Sequence, residues 1–272
     1  MSCRQPQLYS APFDAIADRY DEIFTTSKIG QAQRAAVWRK LERAFRPGDR
    51  VLEIGCGTGV DACFLADRGI TVVACDSSPQ MITVATRRVK ENGKHSSVHL
   101  RLLAAEDIAE MRDTASFDGA FSNFGALNCI RDLDLLVRNL GILLKPGATA
   151  LLCLMGPCCL WEISWYLMHG NPRKAFRRLS CGEVTGHLTE QTSVGVYYPS
   201  VRKLARIFAP EFRLKSFKGI GVSVPPSYLE PWANRFPRLL RLGTRVDSVL
   251  GQSPGFRALA DHILLTFERE RS

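Results

Sequence analysis

The sequence predicts an α/β fold in which a parallel sheet carries helices on both faces. From residue 50 onward, short apolar runs alternate with segments whose apolar residues recur at helical spacing, and this alternation is typical of a parallel sheet. The chain also has 272 residues, of which 46% are hydrophobic, and this is enough for one domain with a large core. In such sheets ligands bind beyond the carboxyl ends of the strands.

Helical spacing of apolar side chains predicts a first helix over residues 13–24 and a second over residues 30–45. The turn sequence Pro47-Gly48-Asp49 then precedes the sheet. Strands are predicted over residues 50–54, 71–75, 98–103, 117–122 and 148–155. The helices between them are predicted over residues 59–68, 79–91 and 131–144, where Pro79 suits a first helical turn.

The alternation stops after residue 156. Further strands are predicted over residues 193–198, 212–220 and 262–268, with a helix over residues 201–209. Between the last two strands lies a long segment, residues 221–259, that contains several prolines. We interpret it as a helical insertion over the sheet rather than a linker.

Charge is distributed unevenly along the chain. Residues 1–156 hold 19 Lys+Arg against 18 Asp+Glu, a net charge of +1, whereas residues 157–272 hold 17 against 9, a net charge of +8. A basic surface suits an anionic substrate, a membrane surface or a nucleic acid, or serves solubility alone. The most apolar stretch, residues 148–168, is interrupted by Gly156, Pro157 and two polar residues, which favours a buried strand and helix over a membrane span.

Neither a secretory signal nor a metal site is predicted. The first twenty residues lack a long apolar core, and the nine cysteines are scattered without zinc-binding spacing. We therefore expect a cytoplasmic protein with reduced thiols and no metal centre.

Residues 51–59, VLEIGCGTG, form a glycine-rich turn after the first predicted strand. The GxGxxG motif of dinucleotide enzymes is not matched, because the third glycine, Gly59, comes one residue early and Val60 stands in its place. Glu53 would also repel a pyrophosphate, whereas it suits a cofactor with an amine or a sulfonium. The turn therefore favours a cofactor other than a dinucleotide.

A second acid, Asp76, ends the second predicted strand, 19 residues after Gly57. An acid at this place accepts hydrogen bonds from both ribose hydroxyls, a device of NAD enzymes and of other nucleoside-cofactor enzymes. The alternative is a strand-end residue that caps the following helix.

The glycine turn and Asp76 belong to a pattern in which the sequence resembles a class I S-adenosylmethionine-dependent methyltransferase of the small-molecule type (methyltransferase-11/25-like). The matching segments are Glu53–Gly59 (EIGCGTG), Ala74–Ile82 (ACDSSPQMI), Ala105-Glu106-Asp107 and Phe117-Asp118. The resemblance covers about residues 10–155 and, more loosely, the C-terminal strands. It implies a three-layer, Rossmann-like, seven-stranded sheet, mostly parallel with an antiparallel last strand, and an added helical substrate cap.

The resemblance also implies a division of the chain and a cofactor, S-adenosylmethionine. Residues 1–48 would be N-terminal helices that cover the cofactor site, and residues 49–156 would be the cofactor-binding core. Residues 157–272 would complete the sheet, with substrate-cap insertions at about residues 157–192 and 221–259.

The implied cofactor site consists of Tyr20, Glu53, Gly55, Cys56, Gly57, Gly59, Asp76, Ser77, Met81, Ala105, Glu106 and Asn123. The glycines would pass under the methionine part of the cofactor, Asp76 would hold the ribose, and Ser77 and Met81 would flank the adenine. Asn123 would lie near the transferred methyl group. Tyr20 would cover the cofactor, or alternatively it is a core aromatic of an amphipathic helix.

Two departures from the family pattern limit the reaction. Relatives often have an aspartate where this chain has Ala104, and the sequence Ser122-Asn123-Phe124-Gly125 matches neither the motif of amino-methylating DNA enzymes nor the aspartate pattern of magnesium-dependent catechol-type enzymes. Both subclasses are therefore disfavoured. The catalytic residues are left unknown.

The candidates for a general base on the acceptor side are Glu162, His169, His187, Tyr197 and Tyr198, and each also has an ordinary structural explanation. Trp161, Trp165, Tyr166 and Leu167 are candidates for a pocket or lid wall, or for plain core.

The preferred hypothesis is methyl transfer to a small-molecule acceptor that is apolar, aromatic or lipid-like, with the methylated atom (O, N, C or S) left open. The alternatives are an RNA (tRNA) methyltransferase, a non-catalytic cofactor-binding module and a nicotinamide oxidoreductase. Dispersed basic residues without a recognisable RNA-binding module argue against a nucleic acid. Peripheral membrane contact through the basic C-terminal half stays open.

Overall fold

The computed structural model describes residues 11–114 and 116–271, and it contains a seven-stranded sheet. The strands of the chain are β1 (Arg50–Ile54), β2 (Thr71–Asp76), β3 (Val98–Leu102), β4 (Phe117–Ser122), β5 (Leu144–Met155), β6 (Val184–His187), β7 (Ser193–Val196), β8 (Phe212–Ile220) and β9 (His262–Arg269). The large sheet has the order β3-β2-β1-β4-β5-β9-β8, and β6 and β7 form a separate hairpin. All neighbours in the large sheet are parallel except β9, which is antiparallel to β5 and β8. The predicted mostly parallel sheet with an antiparallel last strand is confirmed.

Helices cover both faces of this sheet. They are α1 (Lys28–Ala44), α2 (Val60–Ala66), α3 (Pro79–Glu91), α4 (Leu133–Leu143), α5 (Leu160–Met168), α6 (Pro172–Ala175), α7 (Val201–Phe208), α8 (Glu230–Arg235) and α9 (Pro237–Leu250). Alternate strand residues point to opposite sides, so Val51 and Val72 join a core with α1, α2 and α3, while Leu52 and Val73 join a core with α4 and α7. The result is a three-layer fold.

The N-terminal segment, residues 12–25, corrects one prediction. A single regular helix was expected over residues 13–24, but the segment forms a 3-10 helix at Pro12–Arg19 and a π-helical turn at Asp21–Thr25. Two of its aspartates bind the glycine turn and the start of α3, as described below, and the change of helical pitch accompanies these contacts. The predicted second helix is present as α1, and Ser27 caps it by accepting a hydrogen bond from the Gly30 amide.

The C-terminal half contains further helices between its strands. Helices α5, α8 and α9 pack with α1 around a small apolar cluster that includes Ile29, Leu229 and Leu240, with Trp161 and Trp165 against it. We call α5, α8 and α9 the cap. The segment that contains α8 and α9 leaves the sheet after Ile220 and returns at His262, and these two residues are paired across neighbouring strands. The division of the chain at residues 48 and 156 remains a prediction.

Candidate cofactor and acceptor site

A cavity of about 300 Å³ opens at the carboxyl ends of β1, β2 and β4. Nine of the twelve residues predicted for the cofactor site line it: Tyr20, Gly55, Gly57, Asp76, Ser77, Met81, Ala105, Glu106 and Asn123. The other three, Glu53, Cys56 and Gly59, do not line it. The structure therefore brings together residues from five separate segments of the chain at the predicted edge of the sheet.

The glycine turn leaves room above its backbone. Gly55 and Gly57 have φ angles of 71° and 51°, which favour glycine. A Cβ atom on Gly55 would lie 2.3 Å from the Cβ of Ala126, so the turn and the segment after β4 approach too closely for a side chain. A Cβ on Gly57 would meet no protein atom within 4 Å, so its backbone borders open space. A ligand can therefore approach this backbone directly.

Asp76 is oriented by backbone amides at the end of β2. One carboxylate oxygen accepts a hydrogen bond from the Gly57 amide at 2.8 Å, and the other accepts one from the Ser78 amide at 2.9 Å. Burial raises the pKa of Asp76, and these amides oppose the shift. A carboxylate oxygen can accept two hydrogen bonds, so both oxygens still have capacity for a ribose diol. The helix α3 has its own cap, because the Ser78 hydroxyl accepts from the Met81 amide.

The predicted adenine side is largely apolar. Met81 is buried at the start of α3, and Leu103 and Ala105 follow β3 in the cavity wall. Ser77 and Glu106 border the same space and supply polar groups. This composition fits a flat, partly apolar ring with polar edges, so the residues present suit S-adenosylmethionine.

Glu53 lies beneath the cavity and not in its wall. Only 1% of its surface is exposed, and its Oε2 atom has no hydrogen-bond partner among the described residues. Burial raises the pKa of Glu53 well above its usual value, the nearby Asp61 carboxylate raises it further, and Arg34 opposes the shift. The carboxyl group is therefore an internal polar group behind the glycine turn.

A buried polar network supports the cavity floor and was not foreseen from the sequence. Arg34 forms an ion pair with Asp61 at 2.7 Å, and Asp61 also accepts hydrogen bonds from Trp38 at 2.6 Å and from the Asn123 side chain at 2.9 Å. The Asn123 amide, which lines the cavity, is thus oriented by a carboxylate from α2 and indirectly by α1. The Arg34 guanidinium also lies 5.0 Å from the ring centre of Phe124.

Phe124, the second residue after β4, is another residue that the sequence did not identify as part of the site. Its φ angle is 46°, which is uncommon for a bulky residue, and its amide donates to the Asn123 side-chain oxygen at 3.0 Å. Its ring makes edge contacts with Phe24 and His262, at centroid distances of 4.7 and 5.5 Å. Such backbone strain is concentrated at functional sites, and Phe124 lines the cavity.

The cavity wall continues beside the glycine turn through a short 3-10 helix at Ala126–Cys129. Leu127 and Ile130 contribute apolar surface there, and Val194 of the β6–β7 hairpin completes it. Burial raises the pKa of Cys129 to about 11, so its thiol is protonated at neutral pH. No helical pattern predicted this short segment, because four residues are too few to show periodicity.

The N-terminal segment closes the cavity from above. Phe13 and Tyr20 line the cavity, and burial raises the pKa of Tyr20. Asp14 accepts a hydrogen bond from the Ser78 hydroxyl at 2.5 Å. Asp21 accepts one from the Thr58 hydroxyl at 2.8 Å and pairs with Arg88 of α3. Two carboxylates therefore attach this segment to the turn and helix that border the predicted cofactor position.

The five candidate general bases all lie away from the cavity wall. Glu162 is buried and pairs with Arg177 at 2.6 Å and Arg178 at 2.7 Å. The His169 ring nitrogen lies 2.8 Å from the Trp165 carbonyl at the end of α5, and His187 is exposed on β6.

The two tyrosines among the candidates have other partners. Tyr197 donates its hydroxyl hydrogen to Glu183 at 2.5 Å, and the ring centre of Tyr198 lies 5.4 Å from the Arg178 guanidinium. The aromatic residues of α5 are likewise outside the wall: Trp161 packs against Trp232 at a centroid distance of 6.1 Å.

In the described ranges, no group of three His, Cys, Asp or Glu side chains could hold a metal ion. No helix formed by these same residues is both long enough and apolar enough to span a bilayer.

Comparisons with known proteins agree with this geometry. A family model described as a methyltransferase domain matches residues 52–150. The demethylmenaquinone methyltransferase of Clavibacter sepedonicus is 34% identical over 156 residues, which are 55% of this chain and 59% of that enzyme. The tRNA 5-carboxymethoxyuridine methyltransferase of Escherichia coli (strain K12) is 30% identical over 179 residues, which are 62% of this chain and 67% of that enzyme. The chain thus matches about three fifths of the first relative's length.

Among solved structures, the CcbJ methyltransferase from Streptomyces caelestis has the same fold. Its TM-score is 0.60 at 17% sequence identity, and the match covers 96% of this chain and 99% of that protein.

Proposed function

This chain belongs to the class I S-adenosylmethionine-dependent methyltransferases, and we propose that it transfers a methyl group from that cofactor to a small, apolar or lipid-like acceptor of quinone or phenol type. The observation that carries the proposal is the apolar part of the cavity wall. This part is formed by apolar and aromatic side chains, among them Phe13, Phe124, Leu127, Ile130 and Val194. Such a surface favours a flat apolar acceptor over a charged one.

The chemistry of the wall restricts the acceptor further. When bound, S-adenosylmethionine would supply an electrophilic methyl group on a sulfonium, so an acceptor atom that carries a proton must lose it in the transfer. The ionisable groups of the wall, within the described ranges, are Tyr20, Asp76, Glu106 and Cys129. The tyrosine and cysteine hold their protons at neutral pH because burial raises both pKa values, and Asp76 faces the predicted ribose position. Apart from the Asp76 and Glu106 carboxylates, the wall contains no ionisable side chain that could accept a proton, so an acceptor that needs little help to lose its proton, such as a phenol or a quinol, suits it.

The two relatives have different substrates. One acts on demethylmenaquinone, a lipid-like quinone, and the other on a tRNA uridine. The apolar wall supports the first kind of acceptor. The outer surface of the cap supports it too.

Helix α9 carries an apolar stripe on its outer face. Leu239, Leu242, Val246 and Val249 follow the spacing of one helical face and are all exposed, Leu242 by 56% and Val249 by 67%. Three exposed arginines lie beside this stripe on the same helix: Arg238, Arg241 and Arg245. An apolar stripe flanked by cations is typical of helices that lie in the interface of an anionic membrane.

The remaining charges of α9 agree with this interpretation. Its only acid, Asp247, is buried and accepts hydrogen bonds from the Gly221 amide at 3.1 Å and the Ser223 amide at 2.8 Å, so it does not offset the arginines outside. Of the sixteen large apolar residues exposed in the described ranges, twelve lie between Leu160 and Phe256. We therefore propose that the outer face of α9 rests on an anionic lipid surface, which is where a lipid-like acceptor is found.

The activity is tested by incubating the purified protein with S-adenosylmethionine and three acceptors: a demethylated isoprenoid quinol, a water-soluble naphthol and unmodified bulk tRNA. We expect S-adenosylhomocysteine to form with the quinol. Formation with tRNA alone would replace this proposal with the RNA alternative, and formation with none would contradict it.

Membrane contact is tested by vesicle co-sedimentation with phosphatidylglycerol and with phosphatidylcholine. We expect Leu242→Glu and Val249→Glu each to reduce binding to the anionic vesicles at least about tenfold. Each variant replaces an apolar side chain that would contact the lipid with a negative charge that the lipid repels. Ile142→Glu is the matched control, because Ile142 is a similarly exposed apolar residue (49%) on α4. Equal losses in the control and the α9 variants would contradict the assignment of α9.

A further inference from the structure

A second cavity, of about 410 Å³, lies where α1, β8, β9 and the end of α9 meet. Its lining residues are Ala36, Arg39, Lys40, Arg43, Ser216, Phe217, Lys218, Ser248, Gln252, Arg257, Leu264 and Thr266. None of them belongs to the wall of the cofactor cavity. The two cavities are therefore distinct sites.

The sequence of α1 creates one side of this second cavity. Ala36, Arg39, Lys40 and Arg43 follow the i, i+3, i+4, i+7 spacing of one helical face. The small Ala36 is buried, and the three cations occupy the last two turns of the helix, where the helix dipole favours positive charge. One helix thus presents three cations to the same space.

The opposite side adds two more cations, Lys218 on β8 and Arg257 in the segment before β9. The wall contains five basic residues and no acidic one. Within the part of the chain that the structure describes, none of the five forms an ion pair with a carboxylate. Five cations around one cavity repel one another and need a counter-charge.

Two buried polar groups in this cavity have no hydrogen-bond partner among the described residues, and a third group is a half-buried cation. The buried Arg257 Nε atom and the buried Thr266 hydroxyl lack hydrogen-bond partners among the described residues. The Arg257 guanidinium lies 3.9 Å from the ring centre of Phe217, which holds it in place. Burial lowers the pKa of Lys218, and Arg39, Arg43 and Lys40 lower it further while Asp247 opposes them. Buried donors without acceptors are costly, and an anion would satisfy all three.

We propose that this cavity binds the phosphate group of a phosphate-bearing ligand. A phosphate offers several acceptor oxygens and more than one negative charge, which matches converging guanidinium and ammonium donors better than a single carboxylate does. The ligand is either a soluble phosphate compound or the headgroup of an anionic lipid, since Ser248 of α9 and Gln252, just after that helix, border the cavity. The proposal does not depend on the acceptor of the methyl group.

The test is calorimetric titration with pyrophosphate at constant ionic strength, together with co-sedimentation on phosphatidic acid vesicles. The variant is Arg39→Gln/Arg43→Gln, because both side chains are exposed and neither supports the core. The matched control, Arg202→Gln/Arg206→Gln, removes the same charge from exposed positions on α7. Thermal unfolding and S-adenosylhomocysteine affinity, which we expect to be unchanged in both, report folding and the cofactor site separately.

We expect the wild-type protein to bind at least one of the two probes, and the α1 variant to bind it about tenfold or more weakly than the control. Binding of pyrophosphate identifies a soluble phosphate compound. Vesicle binding that the α1 variant loses and the control retains identifies a lipid headgroup, because α9 is intact in both variants. Failure of the wild-type protein to bind either probe at about 0.15 M salt, or equal losses in the variant and the control, would overturn the proposal.

Discussion

Replacing Asp76 with asparagine tests the proposed cofactor site most directly. The two side chains have the same shape, but each carboxylate oxygen of Asp76 accepts a backbone hydrogen bond, from Gly57 at 2.8 Å and from Ser78 at 2.9 Å. An asparagine has only one oxygen. Whichever way the amide turns, its NH2 group faces a backbone N–H, and it loses the charge that would strengthen hydrogen bonds from a ribose diol.

The magnitude follows from these contacts. A hydrogen bond to a charged group contributes about 1.5–3 kcal/mol, against about 1 kcal/mol for a neutral one. Two weakened ribose contacts therefore cost about 3 kcal/mol, which corresponds to a loss of affinity on the order of 100-fold. Distortion of the glycine turn by the misplaced NH2 group adds to this loss.

The assay is calorimetric titration of the wild-type protein and the Asp76→Asn variant with S-adenosylhomocysteine, with thermal unfolding to confirm that the variant folds. Asp107→Asn is the matched control, because Asp107 is exposed after β3 and does not line the cavity. An Asp76→Asn variant that binds within about threefold of the wild type would refute the ribose assignment.

Three further substitutions test other parts of the structure. Arg178→Met leaves the buried carboxylates of Asp261 and Glu162 without the cation they share. We expect the free energy of unfolding to fall by about 3–5 kcal/mol and Tm to fall by about 6–15 °C. A change in Tm below about 2 °C would contradict this. Burial raises the pKa of Glu53, so the wild-type protein loses stability as the pH rises above about 4.5, through the pKa of the folded state. Glu53→Gln removes that loss. We therefore expect the free energy of unfolding, measured in urea, to differ less between pH 5 and pH 8 in the variant than in the wild type. Gly55→Ala places a Cβ atom 2.3 Å from that of Ala126 at a φ of 71°, and we expect a cost of about 1–3 kcal/mol, seen as a lower Tm and weaker S-adenosylhomocysteine binding.

The parts of the site that the sequence predicted are those encoded locally. The glycine turn needs residues that tolerate positive φ, and glycines can be recognised in the sequence without knowing their tertiary contacts. Asp76 was identifiable as a lining residue because an acid at the end of the second strand lies at the same edge of the sheet as the glycine turn. The order of strands and helices along the chain was enough to predict that the glycine turn and Asp76 lie at the same edge of the sheet.

The parts that were missed depend on contacts between distant segments. Arg34 belongs to a helix whose pattern is amphipathic, and nothing local separates a buried arginine from an exposed one until Asp61 is seen against it. Phe124 acquires its position from the strained turn after β4 and from rings of other elements. Glu162 was considered as a base because an acid in an apolar helix is conspicuous, yet Arg178 satisfies it from sixteen residues later.

Ile220 and His262, which flank the segment that carries α8 and α9, are paired on neighbouring strands of the sheet. The 41 residues between them leave and re-enter the sheet at one point, so the sheet itself closes the loop that carries α8 and α9. Because the entropy of closing a loop grows only slowly with its length, this segment can be lengthened, shortened or exchanged at little cost to the sheet. The proposed membrane contact of α9 can thus change while the strand ends that border the cofactor cavity, which belong to other parts of the chain, keep their arrangement.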